Sequence, residues 1–368
     1  MKKSYLLEPF FTDKKIIVTG GCGFIGSNLI RRLIRDSNSK IFNIDKLSYA
    51  SDSSGIEEEL SRNNITDASR YELLKIDLAD YENLDNTIHQ IKPDLIFHLA
   101  AESHVDRSIE NPEKFLSSNV VGTFNLLESV RNYYSKLKIS KKDNFRFHHI
   151  STDEVFGSLG EKGFFSEKTS YAPRSPYSAS KAASDHFVEA WFHTFGIPTL
   201  ITNCSNNYGP WQFIEKFIPV VIFKALDGKP IPIYGQGKNI RDWLYVEDHV
   251  EALLLVASNG KIGEKYCIGG ANEKTNLEVS KTICKLLDEL APRKNAHEEL
   301  IDFVSDRPGH DQRYAIDFSL INNELGWSPK HTFEEGLKIT VNWYLKNVEW
   351  CKYMQKKSGY KGQRIGLK

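Results

Sequence analysis

The chain has 368 residues, enough to bury a sizeable core and, at roughly 150 residues per domain, to form about two domains. Its 48 basic and 48 acidic residues cancel, which excludes an electrostatic footprint for nucleic acid or an anionic membrane surface and favours a polar small molecule as partner. Met1 to Asp13 holds no apolar run of signal-peptide length, and no segment approaches a membrane span, so a soluble cytoplasmic protein is expected.

From the amino end, short β-branched runs alternate with helical patterns, the signature of βαβ units and a parallel sheet. Strands are expected at Lys15 to Thr19, Lys40 to Asp45, Tyr71 to Asp77, Asp94 to Leu99, Arg146 to Ser151 and Thr199 to Cys204. Their largely apolar character asks for helices on both faces. Those helices are expected at Phe24 to Arg35, Asn83 to Ile91, Pro112 to Tyr134 and Pro176 to Phe195. Ser51 to Arg70 reads as a loop or irregular insertion, and Lys136 to Asn144 as a solvated, charged connection. After Asn207 the rhythm breaks at Pro210, Pro219, Pro230 and Pro232. The expectation is an α/β chain: a Rossmann-type doubly wound parallel sheet in residues 14–207, with a smaller C-terminal substrate-binding lobe from 208–240 and 295–368. Residues 241–290 return to the first domain through Trp243 to Val246, a helix at Val246 to Ser258 and a strand at Lys265 to Ile268.

The five cysteines, at 22, 204, 267, 284 and 351, form no CxxC pair, so neither a disulfide framework nor a metal site is expected. Cys204 has no base beside it in the sequence and reads as a buried strand-end thiol.

The first strand runs into Thr19-Gly20-Gly21-Cys22-Gly23-Phe24-Ile25-Gly26. Glycines at 20, 23 and 26 permit a tight turn, let amides approach a pyrophosphate and allow close helix packing, with the helix N-terminus facing the anion. Asp45 ends the second strand nineteen residues beyond Gly26, where a carboxylate accepts from the ribose hydroxyls and repels a 2′-phosphate. NAD is therefore the expected cofactor. Asp77, Leu78, Leu99, Ala100 and Ala101 fall at the ends of the next two strands, where the remainder of a dinucleotide lies.

Tyr177 and Lys181 open a helix soon after the strand that ends in Ser151 and Thr152. The same YxxxK spacing also occurs at Tyr71/Lys75, Tyr134/Lys138, Tyr234/Lys238 and Tyr353/Lys357, so spacing alone carries little. Position behind the strand selects Tyr177, whose phenol a nearby ammonium is expected to bring towards working pH as a base for an alcohol proton. Asp153 and Glu154 stand side by side at the strand end, a pairing suited to general acid and general base roles.

These stretches resemble the extended short-chain dehydrogenase/reductase family. Within it, Ser151 to Gly157, Tyr177 to Ala182, Asn203 to Gly209, Arg241 to His249 and Asp306 to His310 resemble the dTDP-glucose 4,6-dehydratase branch over nearly the whole chain. Phe156 stands where that branch has tyrosine, removing a hydroxyl near the cofactor pocket. The resemblance implies oxidation at C4 of a nucleotide-sugar by bound NAD, loss of water across C5 and C6, and re-reduction at C6. It assigns Glu154 as the base at C5, a protonated Asp153 as the acid at O6, and Thr152 as a hydrogen-bond partner of the C4 oxygen.

The resemblance also adds Phe24, Ile25, Lys46, Leu47, Ser118 and Asn206 to the cofactor site, with Tyr177 and Lys181 shared. Ser103, His104, Thr152, Asn207 and Lys216 are assigned to the substrate, and with them Arg241, Asn272, Arg307 and His310. Arg241 and Arg307 suit the diphosphate because guanidinium forks match phosphate oxygens. The implied partner is dTDP-glucose, with no metal. Surplus apolar residues on the helices at 112–134 and 176–195 predict a homodimer. A UDP-glucose 4,6-dehydratase, a nucleotide-sugar 4-epimerase and a non-catalytic NAD-binding regulator are the alternatives; Asp153-Glu154 argues against the epimerase, and the intact Tyr177/Lys181 against the regulator.

Overall fold

The computed structural model describes residues 9–66, 69–360 and 362, so the reading of the N-terminal stretch lies outside the described residues as far as residue 8. In chain order the strands are β1 (Lys15–Thr19), β2 (Lys40–Asp45), β3 (Tyr71–Lys75), β4 (Leu95–His98), β5 (Arg146–Thr152) and β6 (Thr199–Cys204). β7 (Asn206–Tyr208), β8 (Ile231–Tyr234), β9 (Ile240–Tyr245), β10 (Lys265–Ile268), β11 (Glu273–Thr275) and β12 (Ile301–Val304) follow. The helices are α1 (Phe24–Asp36), α2 (Ser54–Arg62), α3 (Tyr81–Ile91), α4 (Val105–Glu110), α5 (Pro112–Phe115), α6 (Gly122–Ser135), α7 (Ile139–Lys142) and α8 (Pro176–Phe195). The last third adds α9 (Phe217–Leu226), α10 (Val246–Asn259), α11 (Asn276–Leu290), α12 (Ser319–Leu325), α13 (Phe333–Lys346) and α14 (Val348–Ser358).

Seven strands form one sheet in the order β10-β6-β5-β4-β1-β2-β3, every neighbouring pair parallel. The chain leaves β1 towards one edge and re-enters at β4 towards the other, so the switch point lies between β1 and β4, where ligands bind at the carboxyl ends. Successive side chains alternate faces as strand geometry requires. Val18 and Phe97 join Leu29, Leu33 and Leu253 in one buried layer, while Ile17, Ile96 and Phe147 join Leu84, Leu126 and Val188 in the other. α8 begins with Ser175 capping the Ser178 amide and Pro176 in the first turn, and stops at Gly196 in the left-handed region at φ 67°.

A second core is built by residues far apart in sequence: Tyr208, Ile222, Ile233, Trp243, Leu287, Phe333 and Tyr344. Here β9 pairs with β7 and β11 in a small three-stranded sheet, so Trp243 to Tyr245 lies outside the main sheet. The lobes also interleave more than expected. α11, read as part of the first domain, buries Val279, Ile283 and Leu287 in the second core, whereas Ile321 of α12 and Trp327 join the first.

Two helical expectations are corrected. Ser51 to Arg70 contains α2, which buries Ile56 against the first core and sets Glu59 beside Arg31. The helix expected over Pro112 to Tyr134 is interrupted by a π-helical stretch at Leu116–Val121. The widened turn places Asn119 in the interior, where its amide pairs with the Glu102 backbone and donates to Ser180 (2.8 Å). Phe156 is corrected too: it packs against Phe165 and Tyr171 in a small buried cluster and does not line the cofactor cleft.

Candidate active site

Along the carboxyl edge of the sheet runs a cleft of about 310 Å3 that opens into a second cavity of about 250 Å3 between the lobes. Its floor begins at the turn after β1. Gly20 has φ 68°, and a Cβ there would lie 2.7 Å from the Ala100 backbone, so only glycine lets this turn approach the end of β4. α1 follows with no side-chain cap on its first turn, leaving its leading amides to an anion. At the tip of β2, Asp45 accepts from the amides of Cys22 (2.9 Å) and Leu47 (2.8 Å) and from Ser51 Oγ (2.9 Å). Lys46 is matched by Glu102 at 2.7 Å and donates to Ser118, so this end of the cleft keeps the negative sign that Asp45 gives it.

The cleft thus fits a dinucleotide with an unphosphorylated ribose: an amide cradle that a Cβ would fill, a carboxylate beyond it, and at the far end an Asn206 Oδ1 with no partner among the described residues. Gly23, Phe24, Ile25, Gly26, Leu78, Leu99, Ala100, Ala101 and Ser118 line this cleft. Leu47 and Asp77 do not. Leu47 is exposed, and Asp77 closes a local turn by accepting from the Ala79 amide.

Thr152, Asp153, Glu154, Tyr177 and Lys181 come together where the two cavities meet. Thr152 Oγ1 caps the Glu154 amide at 3.2 Å and donates to Asp153 Oδ1 at the same distance. Asp153 is 1 % exposed, and its Oδ2 has no hydrogen-bond partner among the described residues. Burial, then the neighbouring Glu154 and Asp242 charges, hold the Asp153 carboxyl well above the usual range. Burial also raises Glu154, but Arg307, Arg241 and Lys216 oppose the rise. Both adjacent carboxyls are therefore raised, Asp153 strongly and Glu154 less so, and of the two Glu154 gives up its proton more readily.

Tyr177 departs from expectation. Burial and the Glu154 charge push its phenol well above the ordinary value, only partly offset by the Thr152 hydroxyl beside it. Lys181, in the same cleft wall, donates to the Ile150 carbonyl at 2.9 Å and lies 3.4 Å from His149 Nε2. Cys204 lies in the same wall with its thiol pushed up by burial, as suits a packed thiol and not a nucleophile. All five cysteines are buried and unpaired.

The second cavity gathers Ser103, His104, Asn207, Lys216, Arg241, Arg307 and His310. Arg241 is 6 % exposed and stacks 4.2 Å over the Tyr314 ring, its guanidinium steadied by the carbonyls of Ile240 and Asp311. Arg307 is held by Asp106 (2.8 Å) and Lys216 by the Ser103 carbonyl (3.0 Å). Burial and the two arginines lower His310 to about 4, leaving it neutral. Asn272 is a correction: its amide is turned back to the Gly270 carbonyl at 2.6 Å, and Asn276, at the start of α11, lines the cavity. Sequence reasoning also missed Glu215, Tyr234 and Tyr360. Glu215 was legible only as the neighbour of Lys216, yet it accepts from Tyr49 (2.6 Å) and Arg107 (2.7 Å) and ties the lobes together. No helix among the described residues is long and apolar enough to cross a membrane.

The GDP-mannose 4,6 dehydratase family model matches residues 17–340. A dTDP-glucose 4,6-dehydratase from Neisseria meningitidis is 53% identical over 358 residues, covering 96% of this chain and 99% of its own. One from Salmonella typhimurium is 54% identical over 345 residues, 91% and 94% of the two chains. Among solved structures, the Bacillus anthracis dTDP-glucose 4,6-dehydratase in complex with NAD superposes with a TM-score of 0.80 at 42% identity, covering 93% of this chain and 99% of that one. The Streptomyces venezuelae enzyme, solved with NAD and a dTDP ligand, gives 0.82 at 37% identity, covering 92% and 99%. By family model, by sequence and by fold alike, this chain belongs to the GDP-mannose 4,6 dehydratase family and, within it, to the dTDP-glucose 4,6-dehydratases of the extended short-chain dehydrogenase/reductase class.

Proposed function

We propose that this chain converts dTDP-glucose to dTDP-4-dehydro-6-deoxyglucose and water. One observation carries the reading: Asp153 and Glu154, adjacent at the end of β5 where the two cavities meet, sit in different environments, Asp153 fully buried and strongly biased towards its protonated form, Glu154 facing Arg307, Arg241 and Lys216, which favour its charged form. NAD, when bound, supplies the reversible two-electron store that makes oxidation at C4 and reduction at C6 one redox-neutral cycle. Tyr177 takes the proton of the C4 hydroxyl, and Thr152 holds the oxygen. The C4 ketone makes the C5 proton acidic and the C6 hydroxyl a β leaving group. Glu154 takes the C5 proton while Asp153 protonates O6, which leaves as water. Lys216, Arg241 and Arg307 surround the substrate cavity with the positive charge that a diphosphate needs, and the same field favours the charged form of Glu154 against its burial.

A 4-epimerase shares this fold: one from Thermotoga maritima gives a TM-score of 0.77 at 28% identity. Epimerisation needs no elimination, and a buried acid/base pair at C5 and O6 has no task in it. Product analysis with dTDP-glucose and UDP-glucose side by side, in deuterated water, tests the reading. A 6-deoxy-4-keto product labelled by solvent, formed faster from dTDP-glucose, is expected; a 4-epimer retaining its C6 hydroxyl would overturn it.

The same reading includes a homodimer. Leu116, Val121, Phe124 and Phe195 are 40–56% exposed on the outer faces of the π-helical stretch, α6 and α8, and Phe124 continues a ring cluster with Phe187 and Trp191. Light scattering that finds a monomer at working concentration would count against it. Five unpaired thiols suit the reducing cytoplasm.

A further inference from the structure

Behind the reaction centre, away from both cavities, lies a second buried carboxylate that the chemistry above does not touch. Asp185 is one helical turn beyond Lys181 on α8 and wholly buried. Its Oδ2 accepts from the Tyr171 hydroxyl (2.8 Å) and the Asn203 amide (3.2 Å), and its Oδ1 lies 3.1 Å from His149 Nε2. The same His149 nitrogen is 3.4 Å from Lys181 Nζ, and the same Asn203 amide donates to the Thr152 carbonyl at 3.1 Å. One carboxylate is thus a single partner away from two members of the reaction centre.

We propose that Asp185 is the positioning residue of the oxidation step: with His149 it forms the counter-ion that keeps Lys181 charged and oriented inside the protein, and through Asn203 it fixes the end of β5 that carries Thr152. The proposal rests on the reading of Tyr177 and Lys181 as the groups that serve oxidation at C4.

A buried ammonium is costly unless an anion answers it. Lys181 is 4% exposed, and burial lowers its affinity for a proton. The titratable groups facing it are His98 from β4, His149 from β5, Cys204 from β6 and Asp185 from its own helix. His149 is lowered to about 4 by burial and is neutral, as is the raised thiol of Cys204. His98 lies well below its ordinary value and bonds to Thr19 and Thr123. Asp185 remains as the fixed negative charge: burial works against it, but the His149 hydrogen bond and the Lys181 charge leave it below the usual carboxylate range. Glu154 and Asp153, on the cleft side, answer to Arg307, Arg241 and each other.

The test is Asp185→Asn in the full-length, NAD-loaded enzyme, with the pH profile of kcat/KM for dTDP-glucose as readout. Removing the charge lets Lys181 lose its proton more easily, so the alkaline limb moves to lower pH by about one unit or more, and activity above that limb falls about tenfold or more. KM and the NAD content per chain stay within about twofold, as expected for a group that touches neither ligand. Tyr171→Phe, which removes a hydrogen bond but not the charge, keeps the wild-type limb. A purely structural role would lower the folded fraction of Asp185→Asn and leave the limb in place, and that result overturns the proposal. If Asp185→Asn does not fold, His149→Leu carries the test by removing the bridge: the same direction of shift is expected, and an unmoved limb overturns it. Failure of the wild-type chain to dehydrate dTDP-glucose would instead strike at the function itself, a result visible before any variant is made.

Discussion

Two aspartates flank the end of β5, both at most 1% exposed, and their surroundings drive them in opposite directions. Asp153 faces the cleft with one oxygen unpartnered among the described residues, beside the charge of Glu154, and its carboxyl is pushed well up. Asp185 lies behind the strand with three donors on its two oxygens and is pulled down. Depth is the same in the two places, so burial cannot be what separates them. Donors and neighbouring charge do, and they sort one residue type into a group able to give up a proton and a group that never holds one.

The largest effect expected from breaking this contrast is on the front side. Glu154→Gln removes the base and should lower kcat by about 10² to 10⁴ while NAD content is unchanged, read by product formation and by cofactor released on denaturation. Turnover at the wild-type rate would falsify its role. Next in size, Arg307→Ala removes a charged donor that the chemistry does not consume. KM for dTDP-glucose should rise by about ten- to a hundredfold, the equivalent of about 1.5–3 kcal/mol, with a smaller change in kcat. A fall in kcat at constant KM would move Arg307 from substrate binding to chemistry.

Stability sharpens the contrast further, because the two Asp→Asn variants should move the melting temperature in opposite directions. The folded-state pKa of Asp153 is raised, so between about 3.8 and that value the folded protein holds the extra proton, and wild-type stability drops as pH rises. Asp153→Asn should therefore melt above the wild type at neutral pH, with the gap closing towards pH 4. The folded-state pKa of Asp185 is depressed, so its contribution is present above about 3.8 and is lost as pH falls through the folded value. Asp185→Asn should melt below the wild type at neutral pH and converge with it in acid. Thermal scans across pH 4–8 that show shifts of the same sign would break the comparison. The smallest effect belongs to Tyr171→Phe, a loss of about 1 kcal/mol in chemical denaturation from one hydrogen bond at 2.8 Å.

Much of the fold was legible because it is written in contiguous, periodic stretches. β1, β2, β6, β10 and α8 begin and end where apolar runs, caps and glycines say they should. Gly20 to Gly26 and Asp45 could be assigned from spacing, since a turn, a helix start and the next strand end are set by local chain geometry. Asn272 turns its amide to Gly270 and does not line the cavity, a placement for which local geometry gave no guide. Four residues on, Asn276 differs only in starting a helix that points into the cavity, a direction set by packing of α11 against the second core. α2 was missed because its buried face is narrow, Gly55, Ile56 and Glu59 in a polar stretch, and is stabilised by contact with α1 more than by its own propensity. Spacing put Lys181 one turn beyond Tyr177, but the groups that hold its ammonium, His149 and the Ile150 carbonyl, come from another strand and were not legible.

By itself the sequence determined the parallel sheet, the dinucleotide turn and the identity of the groups at the end of β5, since each follows from the order of residues along a few turns of chain. Only the tertiary structure decided which carboxyl is the more strongly raised, which asparagine lines the second cavity, and that Asp185 lies behind Lys181 with His149 and Asn203 from two other strands. Those outcomes depend on charges and donors brought together from segments tens to hundreds of residues apart. Electrostatic energy follows distance in space, which the order of residues along the chain does not record.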